Sequence, residues 1–227
     1  MRITDIGFNM FSGIVQTKLV LQEINKQAGF ASLVYDFPAR FSEGLQLGAS
    51  VAQNGVCLTV RTMDKNDDGS LRVSFDVIAQ TLKLTNLADV KSGDELNIER
   101  AACFGDEIGG HVVSGHVFGC VRVLSIEQDE LNMRLEFERP AALKPYLLDK
   151  GFVALNGCSL TIAEVTPDTF SVWLIPETRD VTVFGLIEVG AKVNLEIDPS
   201  TQATVDTIKA LMASGQLAEL IATVKSA

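Results

Sequence analysis

The sequence predicts an all-β protein in which two homologous antiparallel barrels stand in tandem, followed by one C-terminal α-helix. Three observations carry that reading: an internal repeat, strand-period apolar runs inside each copy, and a change to helical spacing after Pro199.

The repeat comes first. Asn54-Gly55-Val56-Cys57-Leu58-Thr59-Val60 recurs as Asn156-Gly157-Cys158-Ser159-Leu160-Thr161-Ile162, displaced by 102 positions. Phe11-Ser12-Gly13-Ile14-Val15 aligns with Val113-Ser114-Gly115-His116-Val117 at that same offset, with no gap needed in between. Farther on, Thr81 and Thr178 each precede a Gly-x-x-x-Asn-x-Glu element, giving Gly93, Asn97 and Glu99 beside Gly190, Asn194 and Glu196 at an offset of 97. The difference is absorbed by the turn-forming cluster Asn66-Asp67-Asp68-Gly69-Ser70, which reads as a longer hairpin loop in the first copy. Two domains follow, residues 10–98 and 107–197.

Within the copies, Leu71–Val77 and Phe170–Leu174 are short runs of apolar, partly alternating and β-branched character, and are strands by period. Gly and Asp punctuate such runs at the spacing of a small antiparallel barrel. A helix between Leu82 and Leu87 is expected to be one turn at most. After Pro199, Val205, Ile208, Leu211, Met212, Leu217, Leu220, Ile221 and Val224 fall at helical spacing, interrupted near Ser214-Gly215. This third segment, 200–227, has no second copy, so its apolar face is open to either another subunit or its own barrels.

Composition excludes several functions. The net charge is -10 and no stretch gathers the Lys and Arg that neutralising phosphates requires, so no nucleic-acid partner is expected. No Gly-rich phosphate loop is present. No apolar run reaches the length of a signal peptide core or a membrane span, so a cytoplasmic protein with no membrane partner is expected. Cys57, Cys103, Cys120 and Cys158 are scattered without CxxC spacing and read as reduced thiols. The only histidines, His111 and His116, would point to opposite faces of a continuous strand, and with Cys103 and Cys120 they match no zinc pattern, so no metal is expected.

The two copies differ where chemistry matters: Ile14 aligns with His116, and Cys57 with Ser159. Related pockets with unlike side chains suit a reaction that consumes two copies of one molecule, as donor and acceptor, and holding both side by side supplies a large proximity effect. Taken singly, Cys57, Ser159, Thr59, Thr161 and His116 are each accounted for as core or strand residues. Their place in the repeated motif favours a functional role.

Met10-Phe11-Ser12-Gly13-Ile14-Val15, the run Asn54–Val60, Glu99-Arg100-Ala101, Gly109-Gly110-His111, Ser114-Gly115-His116 and the run Gly151–Ile162 together resemble the riboflavin synthase family, over nearly the whole chain from Met10. The resemblance implies two six-stranded Greek-key β-barrels and a C-terminal helix that gathers a homotrimer. Each site would form between the first barrel of one subunit and the second of a neighbour, each barrel holding one 6,7-dimethyl-8-ribityllumazine. A four-carbon unit would pass between them, giving riboflavin and 5-amino-6-ribitylamino-uracil, with no cofactor. Lumazine synthase is a candidate partner.

By the same resemblance, Phe11, Cys57, Thr59, Thr81 and His116 line the first-barrel site, with Ser50 close by. Lys150, Ser159, Thr161, Ile175, Thr178 and Asp198 line the second. Backbone groups of Gly13, Ile14, Val15, Gly115, His116, Val117, Leu174, Ile175, Pro176, Glu177 and Thr178, with neighbouring Leu58 and Leu160, hold the ring edges. The catalytic set is His116, Cys57, Ser159, Phe11 and Asp198.

Three departures from the family pattern stand out. Asn156 replaces an expected aspartate, removing a carboxylate that could accept a proton or fix a hydroxyl. Arg179-Asp180-Val181-Thr182 differs after Glu177-Thr178, and residues 1–9 precede the methionine at which the family starts; retained, they would crowd the first-barrel site. Two rivals use the same fold: a non-catalytic antenna that binds lumazine or flavin, and a scaffold barrel without ligand. Conversion of the lumazine to riboflavin separates them.

Overall fold

The computed structural model describes residues 10–103 and 105–216. Two closed six-stranded antiparallel barrels account for most of it. The first contains β1 (Thr17–Gln27), β2 (Phe30–Phe37), β3 (Ser50–Gln53), β4 (Val56–Lys65), β5 (Leu71–Ile78) and β6 (Glu95–Arg100), hydrogen-bonded in the order β1-β2-β5-β4-β3-β6. A short α1 (Ala39–Ser42) follows β2, and α2 (Ala79–Leu84) follows β5. The second contains β7 (Gly119–Gln128), β8 (Met133–Glu138), β9 (Phe152–Leu155), β10 (Cys158–Val165), β11 (Thr169–Leu174) and β12 (Lys192–Ile197), with α3 (Pro176–Val181) after β11 and α4 (Pro199–Ala213) at the end.

Alternation sets which side chains face inward. Along β2 burial alternates strictly, sending Ala31, Leu33, Tyr35 and Phe37 into the first core, where Tyr35 and Phe75 pack edge to face at 6.1 Å. Phe137 and Phe170 stack at 5.3 Å in the second core. Closure removes the exposed sheet edges that an open six-stranded sheet would leave.

The duplication is exact in register. Val60 pairs with Phe75 and Thr62 with Ser74 across one bulge; Ile162 pairs with Val172 and Glu164 with Ser171 across the matching one. Beyond these pairs the first hairpin continues to Lys65–Leu71 and the second stops at Val165–Phe170, which places the insertion at the Asn66–Ser70 turn. The helical turn expected between Leu82 and Leu87 starts earlier, as the six-residue α2, with a 3-10 turn at Asn86–Ala88 behind it. Propensity understated it because β5 delivers the chain straight into the helix, and its twin α3 begins with Pro176, whose fixed φ suits a first turn.

The barrels meet along a polar seam. β3–β4 and β9–β10 are joined by Asn-Gly turns with both residues at positive φ (Asn54 45°, Gly55 78°; Asn156 43°, Gly157 79°), the type I′ geometry that Asn-Gly favours. The turns face each other so closely that a Cβ on Gly55 would lie 2.6 Å from the Gly157 backbone nitrogen. Around them, Asn194 Nδ2 donates to the Asn54 carbonyl (2.8 Å) and Asn97 Nδ2 to the Asn156 carbonyl (2.9 Å). Buried amides with all these partners tie the barrels together where an unpartnered amide would cost about 1–3 kcal/mol.

Asn156 belongs to this seam. Its Oδ1 accepts from the Asn194 backbone N–H (2.9 Å) and from Asn86 Nδ2 (3.1 Å), as Asn54 Oδ1 accepts from the Asn97 backbone N–H (2.9 Å). The position expected to carry a carboxylate is therefore a turn residue whose side-chain oxygen accepts two N–H bonds, a role the amide fills.

The helix α4 ends at Ala213, with Ser214 as its cap and Gly215 at φ 77°, so the interruption falls where the sequence placed it. Val205 packs on the second barrel and Tyr146 hydrogen-bonds Asp206, while Ile208 and Met212 are exposed. Leu217, Leu220, Ile221 and Val224, like residues 1–9, lie outside the described residues.

Candidate active site

Residues 11–15 and 113–117 form two arms that cross between the barrels. Phe11 and Val113 exchange both backbone hydrogen bonds (2.8 and 2.9 Å), an isolated bridge joining two aligned positions of the repeat. Past this crossing each arm runs to the other copy's barrel. The Gly13 carbonyl accepts from Ser159 N–H of β10 (2.7 Å), and the Gly115 carbonyl accepts from Cys57 N–H of β4 (3.0 Å). Val15 packs in the second core and Val117 against the first. Glycine is required at both approaches, because a Cβ on Gly13 would sit 2.6 Å from Ser159 Cβ and one on Gly115 closer still to Cys57 Cβ.

A buried glutamate holds each arm. Glu99 Oε1 of β6 accepts from the Ser12 backbone N–H (2.7 Å) and hydroxyl (2.8 Å). Glu196 of β12 does the same for Ser114 (2.6 and 2.8 Å), and its Oε2 accepts from Gly115 N–H (3.0 Å). Burial pushes both carboxyls upward against these donors, Glu99 to about 7.

The first barrel's mouth is a cleft of about 280 Å³ lined by Cys57, Gln80, Thr81, Leu84, Gly115 and His116 among others. Cys57 and Thr81 come from the first copy, and His116 from the crossing arm of the second. The His116 ring is exposed, with Nδ1 2.8 Å from Ser114 Oγ. Burial raises the Cys57 thiol above its ordinary value, the Ser50 hydroxyl opposes that by hydrogen bonding, and the negative charge of Glu196 adds to it. Cys57 is therefore a protonated thiol at neutral pH. Ser50 is buried and lies opposite Thr59, which faces outward.

Around Ser159 the furniture differs. Its Oγ lies 2.6 Å from His111 Nδ1, and the His111 ring stacks on Phe152 at 5.1 Å, with Thr161 opposite Phe152 in the β9–β10 pair. Burial lowers the His111 pKa, with Asp198 opposing, which leaves the imidazole neutral at pH 7. Its Nε2 is buried and has no hydrogen-bond partner among the described residues. Ile14, 46% exposed, stands on the crossing arm where the first site has His116.

The other expected residues fall as follows. Phe11, 2% exposed, lies between the barrels with Ala52, Val113 and Ala154, and touches the sites only through packing. Leu58, Leu160 and Leu174 point into the cores. Ile175 caps α3 and is exposed, and Pro176, Glu177 and Thr178 form its first residues. Thr178 matches Thr81: each carbonyl accepts the hydroxyl of the threonine four residues on (2.6 and 2.8 Å). Lys150 holds a strained φ of 61° and donates to the Ala163 carbonyl (3.3 Å), and Asp198 caps α4 through the Thr201 N–H and hydroxyl (both 2.8 Å).

His111, Ser114 and Glu196 escaped the sequence reading as site residues. Residues 107–118 are not one continuous strand, so strand parity did not decide where the histidines point: His116 lines the Cys57 cleft and His111 stands beside Ser159. Glu99 and Glu196 were visible as a repeated pair, which was the available signal.

A family model for the lumazine binding domain matches residues 12–101 and again 114–198. The chain is similar to the riboflavin synthase of Escherichia coli (strain K12), 47% identical over 90% of this chain and 94% of that protein. It is 42% identical to the riboflavin synthase of Chlamydia pneumoniae, over 90% and 98%, and 36% identical to that of Bacillus subtilis (strain 168), over 83% and 85%. Crystal structures of LumP, complexed with 6,7-dimethyl-8-(1'-D-ribityl) lumazine or with riboflavin, match with TM-scores of 0.73 and 0.75 at 26% identity, covering 82% of this chain and 98% of LumP.

Proposed function

Because the chain belongs to the riboflavin synthase family of lumazine-binding proteins, we propose that its two barrel mouths hold the two 6,7-dimethyl-8-ribityllumazine molecules that the reaction consumes. The chain is a riboflavin synthase. The reaction balances without an outside oxidant or reductant: one lumazine gives up a four-carbon unit and leaves as 5-amino-6-ribitylamino-uracil, and the other takes it up and becomes riboflavin. The non-catalytic antenna is set aside, since identity to the riboflavin synthases reaches 47% over 90% of the chain.

One observation supports the pairing most: the mouths are aligned by duplication yet carry different reactive groups, Cys57 with His116 in one and Ser159 with His111 and Ile14 in the other. Symmetry presents two identical rings in the same way, and the unlike side chains assign their roles. His116 takes the proton from the acidic methyl at ring position seven, whose anion delocalises into the ring. Cys57, held as a neutral thiol, donates a hydrogen bond and packs against the ring. Ser159 and Thr161 bind the second molecule, and the arm backbones at Gly13–Val15 and Gly115–Val117 flank the ring edges.

A first mouth and a second mouth from different subunits would bring the rings together, and the exposed Ile208 and Met212 of α4 support a homotrimer gathered by that helix. The four cysteines are free thiols and no described helix is long and apolar enough to cross a membrane, in keeping with residence in the reducing cytoplasm. The test is direct. Purified protein is incubated with the lumazine and products are separated by chromatography; one riboflavin and one pyrimidine per two lumazines consumed supports the reading, and bound lumazine without product contradicts it.

A further inference from the structure

The two glutamate clamps are alike, but only one of them ends in a histidine. Ser114 has a single hydroxyl proton. Both oxygens of Glu196 accept backbone N–H bonds, from Ser114 and Gly115, which oppose the upward push of burial on its carboxyl; once ionised, the carboxylate can only accept. The Ser114 proton therefore goes to Glu196 Oε1 at 2.8 Å. With its proton spent, Ser114 Oγ is left as an acceptor toward its other neighbours: the His116 backbone N–H at 3.3 Å and His116 Nδ1 at 2.8 Å. A ring nitrogen facing an acceptor carries the hydrogen.

We propose that Glu196 and Ser114 are positioning residues that hold His116 as its Nδ1–H tautomer, presenting Nε2 as the free basic nitrogen over the first-barrel cleft. The inference rests on the synthase reading, in which a proton must leave the substrate methyl there. Neither residue touches the cleft's contents; they act through the imidazole, as the buried carboxylate of a hydrolytic triad acts through its histidine.

The first copy supplies the comparison. Ser12 donates to Glu99 from its hydroxyl (2.8 Å) and backbone N–H (2.7 Å), and its Oγ accepts from the Ile14 backbone N–H (3.3 Å), as Ser114 does with Glu196 and His116. There the next side chain is isoleucine, so that clamp holds its arm and does nothing more. The relay is the same clamp with one substitution, Ile14 against His116.

The chain has only two histidines, so ¹⁵N spectra of the imidazoles resolve the question. Spectra are recorded at about pH 8.5, about two units above the ordinary imidazole pKa. In the wild type His116 should show a protonated Nδ1 and an unprotonated Nε2. Ser114→Ala should move it toward the Nε2–H form and lower kcat by roughly tenfold or more with KM changed by less than about twofold. Ser114→Thr, which keeps the hydroxyl, should restore both, and Ser12→Ala should leave the His116 signals in place.

A wild-type His116 in the Nε2–H form, or the same tautomer in wild type and Ser114→Ala, overturns the relay. The wild-type spectrum decides even if Ser114→Ala does not fold. If the wild type makes no riboflavin while the tautomer pattern holds, it is the synthase reading that fails.

Discussion

Placing a single methyl group on Gly55 tests how the two barrels are joined. In Gly55→Ala two costs are incurred at once. The residue sits at φ 78°, where an L side chain costs about 1–2 kcal/mol. The new Cβ would also lie 2.6 Å from the Gly157 nitrogen and 2.9 Å from its Cα, backbone atoms that cannot swing aside as a side-chain tip can, and such overpacking costs about 1–3 kcal/mol. Together they predict a loss of roughly 2–5 kcal/mol. The reciprocal Gly157→Ala, 2.7 Å from the Gly55 nitrogen, should cost a similar amount, and the double variant should cost less than the two added, because both methyls contest one gap. Urea unfolding followed by circular dichroism measures all three. A loss below about 1 kcal/mol in Gly55→Ala, or strict additivity, would refute this packing of the seam.

His116→Gln should lower kcat by about a hundredfold with little change in substrate binding, whereas Cys57→Ser, replacing a neutral thiol by a hydroxyl, should lose less than about tenfold; steady-state rates compare the two, and equal losses would count against the neutral thiol. Glu99, lifted to about 7 by burial, takes up a proton in the folded state that the unfolded chain binds only below about 4.5. Its contribution to stability is thus fully present at low pH and is lost as pH rises through about 7, by roughly 3 kcal/mol, and Glu99→Gln should flatten that decline in unfolding experiments between about pH 5 and 8. Phe11→Ala should cost about 3–5 kcal/mol, and its loss of activity should track its fall in thermal midpoint, since the ring fills the space between the barrels and stands outside the first cleft.

The barrels were legible because strand periodicity and a repeat at nearly fixed offset are local, countable properties, and even the inserted hairpin turn could be placed from Asn66–Ser70. The exchange of arms was not. Residues 11–15 and 113–117 lack a sustained period, and their partners, Ser159 and Cys57, are chosen by the meeting of two barrels, which no single segment encodes. Pairing Ile14 with His116 and Cys57 with Ser159 marked positions at which the two crossing arms, and the strands they reach, carry unlike side chains. It missed His111, whose aligned position in the first copy is Asn9, outside the described residues, so the repeat gave it no counterpart. Asn156 misled for the opposite reason: its aligned partner Asn54 already pointed to a turn, and the seam shows that both belong to the join between barrels.

A crystal structure of the protein with riboflavin bound would locate the sites themselves. The ring system should lie in the cleft bounded by Cys57, Thr81 and His116, against the Gly115–Val117 arm, or in the matching mouth at Ser159, Thr161 and Thr178 beside Gly13–Val15. A flavin seated in the asparagine seam, or at any surface touching neither arm, would contradict it.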